Sequence, residues 1–468
     1  MQRPVAAAGG LVTRRRQKLT RVAGHRKLGP VLATVVVAGN MIGSGIFMLP
    51  ATLANVGSLT LIGWVIASIG ALALALLFSR LASRKPLAGG PATYAFDAFG
   101  PFVGMQSSLW YWAACLIGNV AIAAAAAGYL AAFFGISPGS AGLAGITVGL
   151  LWLATFTNLV SPRFAGMVDG PLLIAGLIPL LLVVTFGWQT FELSQFKASW
   201  NVSGEPIYKA LPNSLVLVFW AFTGLESASV AAAVVENPER NVPIATLAGV
   251  SIAALLYIAA SAAIMGMAPA DELANSTAPF ALVAAKMFGS VAGPLVACAG
   301  MLKAFGTLVG WVLLSAQVSR AAADHGLLPQ LFARTRSGDT PVAGLMIAGL
   351  LGTIAIVLTI SPTLGQQFGL LSEASTLFAL LTYLGACAAA LRYRVAGEKA
   401  LAIVGAAFCV FVIGASSMPV LEATAICMLI FVLCYVPLAR RKYLLPDAAV
   451  RTGQHAVVGE RHDDAANR

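Results

Sequence analysis

The chain has 468 residues, of which 59% are hydrophobic and only 10% are charged, and its mean hydropathy is +0.86. About a quarter of the residues of a soluble globular protein are charged, so the composition excludes that class and indicates an integral membrane protein. The net charge of +11 is better explained by membrane topology than by nucleic-acid binding, and no nucleic-acid partner is predicted.

The N-terminal tail, residues 1–29, is basic and contains no acidic residue. No short apolar core with a cleavage site follows, so the first hydrophobic segment, 30–54, is predicted to be a span rather than a signal peptide. Its centre runs from Gly39 to Pro50 and contains Gly-Ser-Gly at 43–45. Backbone opened at membrane depth is tolerated where it lines a cavity or meets a ligand. We therefore predict a helix break that presents N–H groups to an anionic group, with close helix packing through small residues as the alternative.

The hydrophobic segments predict an all-α integral membrane fold with about 12 transmembrane helices. Two consecutive five-helix halves, 30–187 and 212–392, are followed by helices 11 and 12 at 399–438 and by a tail, 443–468, that we predict to be cytoplasmic and disordered. The predicted spans are 30–54, 60–82, 101–133, 141–160, 164–187, 212–235, 244–268, 288–321, 341–361, 369–392, 399–417 and 419–438.

Lysine and arginine residues are concentrated in the loops of one face of this arrangement. The opposite face has only Lys197, Lys209 and Lys286. Because cytoplasmic loops carry the excess of basic residues, both termini are predicted to be cytoplasmic.

A second interruption lies in the sixth predicted span, from Trp220 to Ser229, where Thr223 and Gly224 precede Glu226. Interrupted helices at matching positions of two halves indicate an inverted-repeat transporter with its site near the midplane. An ionisable residue inside a span is a functional candidate by default, and Glu226 is the sharpest one. The four histidines all lie outside the predicted spans, which argues against a histidine proton relay.

Two polar connections, 83–94 and 236–243, combine charge with glycine or proline. They are candidate gating loops, with ordinary interfacial turns as the alternative. The six cysteines all lie in apolar segments, and no CxxC or Cys/His cluster is present. No metal site and no cofactor are therefore predicted.

Several motifs together resemble the amino acid–polyamine–organocation (APC) superfamily, and within it the basic amino acid/polyamine antiporters. The resemblance spans residues 28–443 and is carried by Gly39–Pro50, Gly89–Pro91, Trp220–Ser229 and Glu236–Ala245. The 5+5 inverted repeat with broken helices 1 and 6 is what this family has. Further motifs are similar to arginine/agmatine antiporters, and others, such as 272–280, to putrescine/ornithine antiporters.

The resemblance implies alternating-access exchange of arginine for agmatine across the inner membrane, with a role in acid resistance. The alternatives are putrescine/ornithine or lysine/cadaverine exchange, or proton-coupled uptake of an amino acid. The implied partners are small cationic amino acids and amines, the lipid bilayer and a second copy of the chain in a homodimer. A non-transporting sensor or complex subunit is disfavoured by the paired breaks, and a membrane enzyme by the lack of a visible nucleophile–base pair.

The resemblance also assigns roles to individual residues. The break would hold the substrate carboxylate, carbonyls near Trp220 would hold its amine, and the indoles of Trp220 and Trp311 would hold a cationic group by cation–π attraction. Tyr111 resembles the outer gate, Trp311 the middle gate and Tyr383 the inner gate, and Trp220 is a further gating residue. Glu226 is implied in pH sensing or proton-linked gating. The predicted substrate-binding residues are Asn40, Ile42, Gly43, Ser44, Gly45, Ala114, Cys115, Asn119, Trp220, Ala221, Thr223, Trp311 and Ser375.

Two charged residues depart from the family pattern. Lys303 precedes Trp311 by about two helical turns, and Glu373 lies in the tenth predicted span. Since each charge alone is costly at that depth, we predict that the two form an ion pair. The alternative is that each reaches a water-filled vestibule separately. An unpaired Lys303 facing the pocket would repel a dicationic substrate.

Overall fold

The computed structural model describes residues 29–43, 45–84, 90–160, 172, 176–226, 235–324, 326, 328–335, 340–393 and 397–443. Every regular element of these residues is helical, as predicted. The helices, numbered in chain order, are α1 Pro30–Met41, α2 Gly45–Ala54, α3 Thr60–Arg84, α4 Pro91–Phe99, α5 Pro101–Phe134, α6 Gly139–Val160, α7 Gly176–Gln189, α8 Leu193–Ala198, α9 Ile207–Trp220, α10 Pro238–Met267, α11 Ala270–Ala274, α12 Pro279–Phe288, α13 Ala292–Asp324, α14 Val342–Leu358, α15 Leu364–Tyr393, α16 Lys399–Gly414 and α17 Met418–Tyr443.

Among the described residues, seven helices are individually long and apolar enough to cross a membrane, and an eighth span is formed if α1 and α2 count as one bent segment. The seven are α3, α5, α6, α10, α13, α15 and α17, and five further apolar helices are shorter: α7, α9, α12, α14 and α16. The chain is therefore a multi-pass membrane protein. The count of 12 spans and the inverted repeat stay predictions.

Proline residues mark the start of several helices, including the two helices that begin within the predicted gating loops. α4 begins at Pro91 and α10 at Pro238, so each loop already contains the first turn of a helix. A proline is well suited to this position because its fixed φ matches a helix and its missing N–H would have no partner there. Gly135, in the left-handed conformation, ends α5.

The centre of the molecule is α5, which packs against α13 and α15, while α10 packs against α3 and α1. The run of alanines in α5 at 123–127 is buried throughout, and small side chains allow membrane helices to approach closely. Tyr129, near the end of α5, donates its hydroxyl to the Phe47 carbonyl at 2.9 Å and accepts the Phe280 N–H at 3.2 Å. These bonds fix α2, all of whose residues are buried, in the core of the bundle.

Candidate functional site

The predicted break in the first span is present. α1 ends at Met41 and α2 begins at Gly45, with 42° between the two helices. The N–H of Ile42 bonds to the Ala38 carbonyl at 2.8 Å, and that of Gly43 to the Met41 carbonyl at 2.7 Å. The groups left for a ligand are therefore the first N–H groups of α2, which have no partner within their own helix. Ser44 lies outside the described residues.

The structure describes the N-terminal side of the second interruption. α9 ends at Trp220, and turns follow through Glu226. The predicted span had continued to 235, but residues 227–234 lie outside the described residues. Three carbonyls at this helix end already accept hydrogen bonds. That of Trp220 accepts two, from the N–H and the hydroxyl of Thr223 at 3.1 and 2.7 Å, and that of Ala221 accepts one, from the Tyr257 hydroxyl at 3.3 Å. The Phe222 carbonyl accepts the Leu225 N–H at 3.2 Å.

The two breaks meet in one narrow cleft that is partly open to solvent. Seven of the predicted binding residues line it, together with three that the sequence did not point to. The lining residues are Asn40, Met41, Gly43, Gly45, Ile122, Trp220, Ala221, Thr223, Thr307 and Trp311. No side chain in this set carries a charge, so recognition in the cleft depends on backbone groups, hydroxyls and aromatic faces.

Two tryptophans wall the cleft. The ring centroids of Trp220 and Trp311 are 6.3 Å apart with 44° between their planes, and Phe368 meets Trp220 edge-on at 6.5 Å. Glycines make room for the Trp220 indole, since a Cβ at Gly45 would lie 2.9 Å from its Nε1 and one at Gly118 would lie 2.9 Å from its Cη2. The Trp220 indole can therefore occupy this position because Gly45 and Gly118, which lie against it, have no side chains.

The predicted stripe of Tyr111, Cys115 and Asn119 lies on the unbroken helix α5. Asn119 donates from Nδ2 to the Ser315 hydroxyl at 3.3 Å, while its buried Oδ1 accepts no hydrogen bond from the described residues. Ser375 donates to the Ala114 carbonyl at 2.6 Å. The cleft lining thus lacks four of the predicted binding residues: Ala114, Cys115, Asn119 and Ser375.

Glu226 is the centre of a buried cluster of three polar side chains. The hydroxyl of Tyr111 donates to Oε1 at 2.7 Å, and that of Tyr383 donates to Oε2 at 2.6 Å. Glu226 is 3% exposed and Tyr383 is fully buried, with the Phe78 ring edge-on to Tyr383 at 5.1 Å. We call Tyr111, Glu226 and Tyr383 the carboxylate cluster.

The carboxylate cluster differs from the predicted arrangement of gates. Tyr111 and Tyr383 are predicted as gates on opposite sides of the substrate, but in the structure both bond to one carboxylate. Their positions, in separate helices and 272 residues apart in the chain, gave no signal of this contact. A protonated carboxyl group still accepts at its carbonyl oxygen but donates from its O–H, so protonation would weaken or reverse the tyrosine bond at one of the two oxygens.

The predicted ion pair between Lys303 and Glu373 is wrong. Glu373 instead accepts the backbone N–H of Ser417, directly before α17. No ion pair among the described residues joins it to Lys303. The physical reason is position: α13, which carries Lys303, packs against α5, α14 and α12, whereas α15 packs Glu373 towards α16 and α17.

Thr307, Met41 and Ile122 are the lining residues that sequence reasoning missed. A signal was available for Thr307, because it lies four residues before Trp311 on the same helix and hence on the same face. Met41 and Ile122 are ordinary apolar residues of long apolar helices, and only their packing identifies them.

Comparison with known proteins gives a family and several relatives. Residues 28–438 match the model of the family described as amino acid permease. The putrescine transporter PotE of Escherichia coli (strain K12) is 37% identical over 369 residues, which cover 78% of this chain and 84% of that protein. PotE of Haemophilus influenzae is 37% identical over 367 residues, with the same coverage.

A third relative covers more of both chains. The cadaverine/lysine antiporter of Escherichia coli (strain K12) is 35% identical over 427 residues, or 88% of this chain and 95% of that protein. The family match at residues 28–438 includes the positions of the cleft, the carboxylate cluster and nearly all the helices described above.

Proposed function

The chain belongs to the amino acid permease family of the APC superfamily, and from this premise we propose that it exchanges a basic amino acid for a diamine across the membrane. The observation that carries this proposal is the cleft in which the helix break at 42–45 faces Trp220 and Trp311. Such a cleft offers N–H groups for a carboxylate and indole faces for a cationic side chain.

The binding mode follows from the groups left available. The α-carboxylate would lie at the N-terminus of α2, where unpaired N–H groups and the helix dipole favour an anion. The α-ammonium would bond to the carbonyls of Ala221 and Phe222, just after α9, each of which keeps a second lone pair beside its one internal bond. The distal cationic group would then lie between Trp220 and Trp311, where cation–π attraction contributes about 2 kcal/mol once water is excluded.

The carboxylate cluster would link the conformation of the transporter to protons. Tyr111 on α5, Tyr383 on α15 and Glu226 after α9 join three separate parts of the bundle. Because one of the two bonds weakens or reverses when the carboxyl group is protonated, proton uptake would loosen this junction. This arrangement suits a gate that opens during alternating access.

The substrate pair that the relatives favour differs from arginine and agmatine. Their names specify putrescine, and cadaverine with lysine, which supports the alternative reading of the sequence over the leading one. We infer that this chain exchanges lysine for cadaverine or ornithine for putrescine. The proposal includes 12 spans in a 5+5 inverted repeat, cytoplasmic termini and a place in the inner membrane as a homodimer, on the strength of the family resemblance and the basic loops.

Proteoliposomes test this function directly. Purified protein is reconstituted in vesicles loaded with cadaverine, putrescine, agmatine or buffer, and uptake of labelled lysine, ornithine and arginine is measured. We expect uptake of lysine with cadaverine inside, or of ornithine with putrescine inside, to exceed uptake of arginine with agmatine inside. Removing sodium should leave the rate unchanged.

Protein-free vesicles and a Trp220→Ala variant are the controls. Equal uptake into loaded and empty vesicles would show a uniporter or symporter instead of an exchanger. Faster uptake of arginine with agmatine inside than of the other pairs would restore the arginine/agmatine reading.

A further inference from the structure

Tyr129 lies on the opposite side of the cleft from the carboxylate cluster. The helix α5 contributes a residue to each of three places: Tyr111 to the cluster, Ile122 to the cleft lining, and Tyr129 to contacts further along. Because a helix rises about 1.5 Å per residue, Tyr111 lies roughly 16 Å before Ile122 along α5 and Tyr129 roughly 10 Å after it. One hydrogen-bonded tyrosine of α5 therefore lies on each side of the cleft.

The Tyr129 hydroxyl joins three helices. It donates to the Phe47 carbonyl of α2 at 2.9 Å and accepts the Phe280 N–H of α12 at 3.2 Å. Phe280 is the second residue of α12, so its N–H has no partner within that helix. The N-cap residue, Ala278, makes no side-chain hydrogen bond, and the Tyr129 hydroxyl supplies the missing acceptor. One side chain thus holds both the helix that follows the break and the start of α12.

Ring contacts complete this arrangement. The ring centroid of Phe47 lies 5.7 Å from that of Tyr129 and 5.1 Å from that of Phe280, and all three side chains are fully buried. Gly300 of α13 makes room for the tyrosine, because a Cβ there would lie 2.5 Å from its Cδ1. We call Tyr129, Phe47 and Phe280 the α2 junction.

The α2 junction closes the cleft on the side of α2. Every residue of α2 is buried, and its far end is held as well, since Thr52 donates to the Gly365 carbonyl of α15 at 3.1 Å. For a ligand to enter along α2, this helix must move away from its neighbours, and both bonds of the Tyr129 hydroxyl then break. The tyrosine predicted as the outer gate, Tyr111, is bonded in the carboxylate cluster instead.

We propose that Tyr129 is a gating residue that holds the cleft closed on the α2 side. It acts through α2 and α12 and touches no substrate, so it is a positioning residue. The inference rests on the exchange proposed above, since alternating access opens a fixed site to each side in turn. The carboxylate cluster and the α2 junction then close opposite ends of one pathway.

The first test measures how often the α2 side opens. A reporter cysteine, Ala51→Cys on α2, is placed in a chain whose six native cysteines are replaced by alanine. Ala51 is fully buried, so a membrane-impermeant thiol reagent reaches the reporter only when α2 moves. Tyr129→Phe keeps the ring and removes both bonds. Since each bond shifts an equilibrium by about fivefold, we expect labelling in right-side-out vesicles to be at least about tenfold faster.

Tyr257→Phe is the matched control, because it makes the same chemical change at another fully buried tyrosine. The Tyr257 hydroxyl bonds to the Ala221 carbonyl and not to α2 or α12, so the reporter should be labelled at the wild-type rate. If Tyr129→Phe leaves the labelling rate unchanged, or if both variants raise it equally, Tyr129 does not gate the cleft.

Transport kinetics separate a gate from a residue that only supports the fold. A population shifted towards the state open on the α2 side has more sites available to external substrate and returns from that state more slowly. Both the KM for external lysine and the maximal rate should therefore fall in Tyr129→Phe. The substrate ratio, which is the ratio of the inhibition constants of lysine and cadaverine, should stay at the wild-type value. A fall in the maximal rate alone, or a changed substrate ratio, would contradict the proposal.

Cross-linking tests the same gate without a substitution at Tyr129. Phe47→Cys and Phe280→Cys are combined in the background without native cysteines, and a short thiol-reactive cross-linker that a reductant can cleave joins α2 to α12. Exchange should stop in the linked protein and return after reduction, whereas undiminished exchange in the linked protein would refute the gate. A wild-type protein that exchanges neither lysine nor cadaverine, but whose reporter still responds to Tyr129→Phe, would refute the proposed exchange and keep the gate.

Discussion

The cleft and the carboxylate cluster are adjacent along the chain, since Trp220 and Glu226 are six residues apart, but they are built from different groups. The cleft is lined by backbone, aromatic faces and small residues, and its described lining has no charged side chain. The cluster consists of one carboxylate whose two oxygens each accept a tyrosine hydroxyl. The first part leaves polar groups available, whereas in the second part both carboxylate oxygens and both tyrosine hydroxyls are bonded to each other.

This difference indicates a division of labour. A site that must hold an amino acid in one direction and a diamine in the other benefits from groups that bond to either ligand. A gate needs internal bonds that are complete in one state and broken in another. Substitutions in the cleft should therefore change which substrate binds, and substitutions in the cluster should change whether and at what pH exchange occurs.

The largest effect is expected for Glu226→Ala. It leaves two buried tyrosine hydroxyls without an acceptor, and each hydrogen bond to a charged group contributes about 1.5 to 3 kcal/mol. We expect the exchange rate to fall by at least about a hundredfold. Glu226→Gln keeps the shape and one acceptor, so it should exchange at a reduced rate that varies little with pH.

The measurement is exchange in proteoliposomes from about pH 5 to about pH 8, with thermal unfolding as a check on folding. Tyr383→Phe is the graded control, because it removes one of the two bonds and should cost about tenfold. A Glu226→Gln protein with the wild-type pH profile would mean that the cluster does not sense protons.

A smaller effect, on substrate affinity, is expected for Gly45→Ala. The added Cβ would lie 2.9 Å from Trp220 Nε1 and 3.1 Å from its Cδ1, so the indole must move away from its place in the cleft. We expect substrate affinity to fall about tenfold, since most of the roughly 2 kcal/mol of a desolvated cation–π contact depends on ring position. The pH profile should stay as in the wild type.

Gly43→Ala is the matched control on the other side of the break. Its Cβ would lie 3.3 Å from the methyl carbon of Thr307 and 3.8 Å from both the Met41 carbonyl oxygen and the Thr307 hydroxyl oxygen, and a loss of affinity within about threefold is expected. Binding is measured by ligand-induced thermal stabilisation. A Gly45→Ala protein with normal affinity but an altered pH profile would remove the distinction between cleft and cluster.

Sequence reasoning performed differently on the two regions. Glycine and serine at 43–45 identify a helix break by propensity alone, and the structure has that break; seven of the predicted binding residues line the cleft. The cluster depends on contacts between α5, α15 and the turn after α9. The local periodicity of the sequence does not indicate which side chains of separate helices bond to each other. Glu226 was found because a carboxyl group in an apolar span is rare, but its partners were not.

The same reason explains the wrong ion pair. Lys303 and Glu373 were matched because each alone is costly in hydrocarbon, which is an argument about depth and not about direction. Glu373 is only half-buried, and its bond to the Ser417 N–H gives it a role at the start of α17. The depth of a residue in the membrane can be inferred from hydropathy. The direction in which the Glu373 side chain points depends on how α15 packs against its neighbours.

The smallest effect is therefore expected for Glu373→Gln. It provides a carboxylate variant outside both regions, on the same helix as Tyr383 of the cluster. The glutamine oxygen still accepts the Ser417 N–H, so exchange rate, substrate ratio and pH profile should match the wild type within about twofold. Glu373→Ala removes this cap and should lower the free energy of unfolding by about 1 kcal/mol, without a change in substrate ratio.

The double swap of Lys303→Glu with Glu373→Lys should not restore what Lys303→Glu loses, because the two side chains do not form a pair. Rescue by that swap would place Glu373 beside the cleft in a working state and would join to the transport site a residue that lies outside it here.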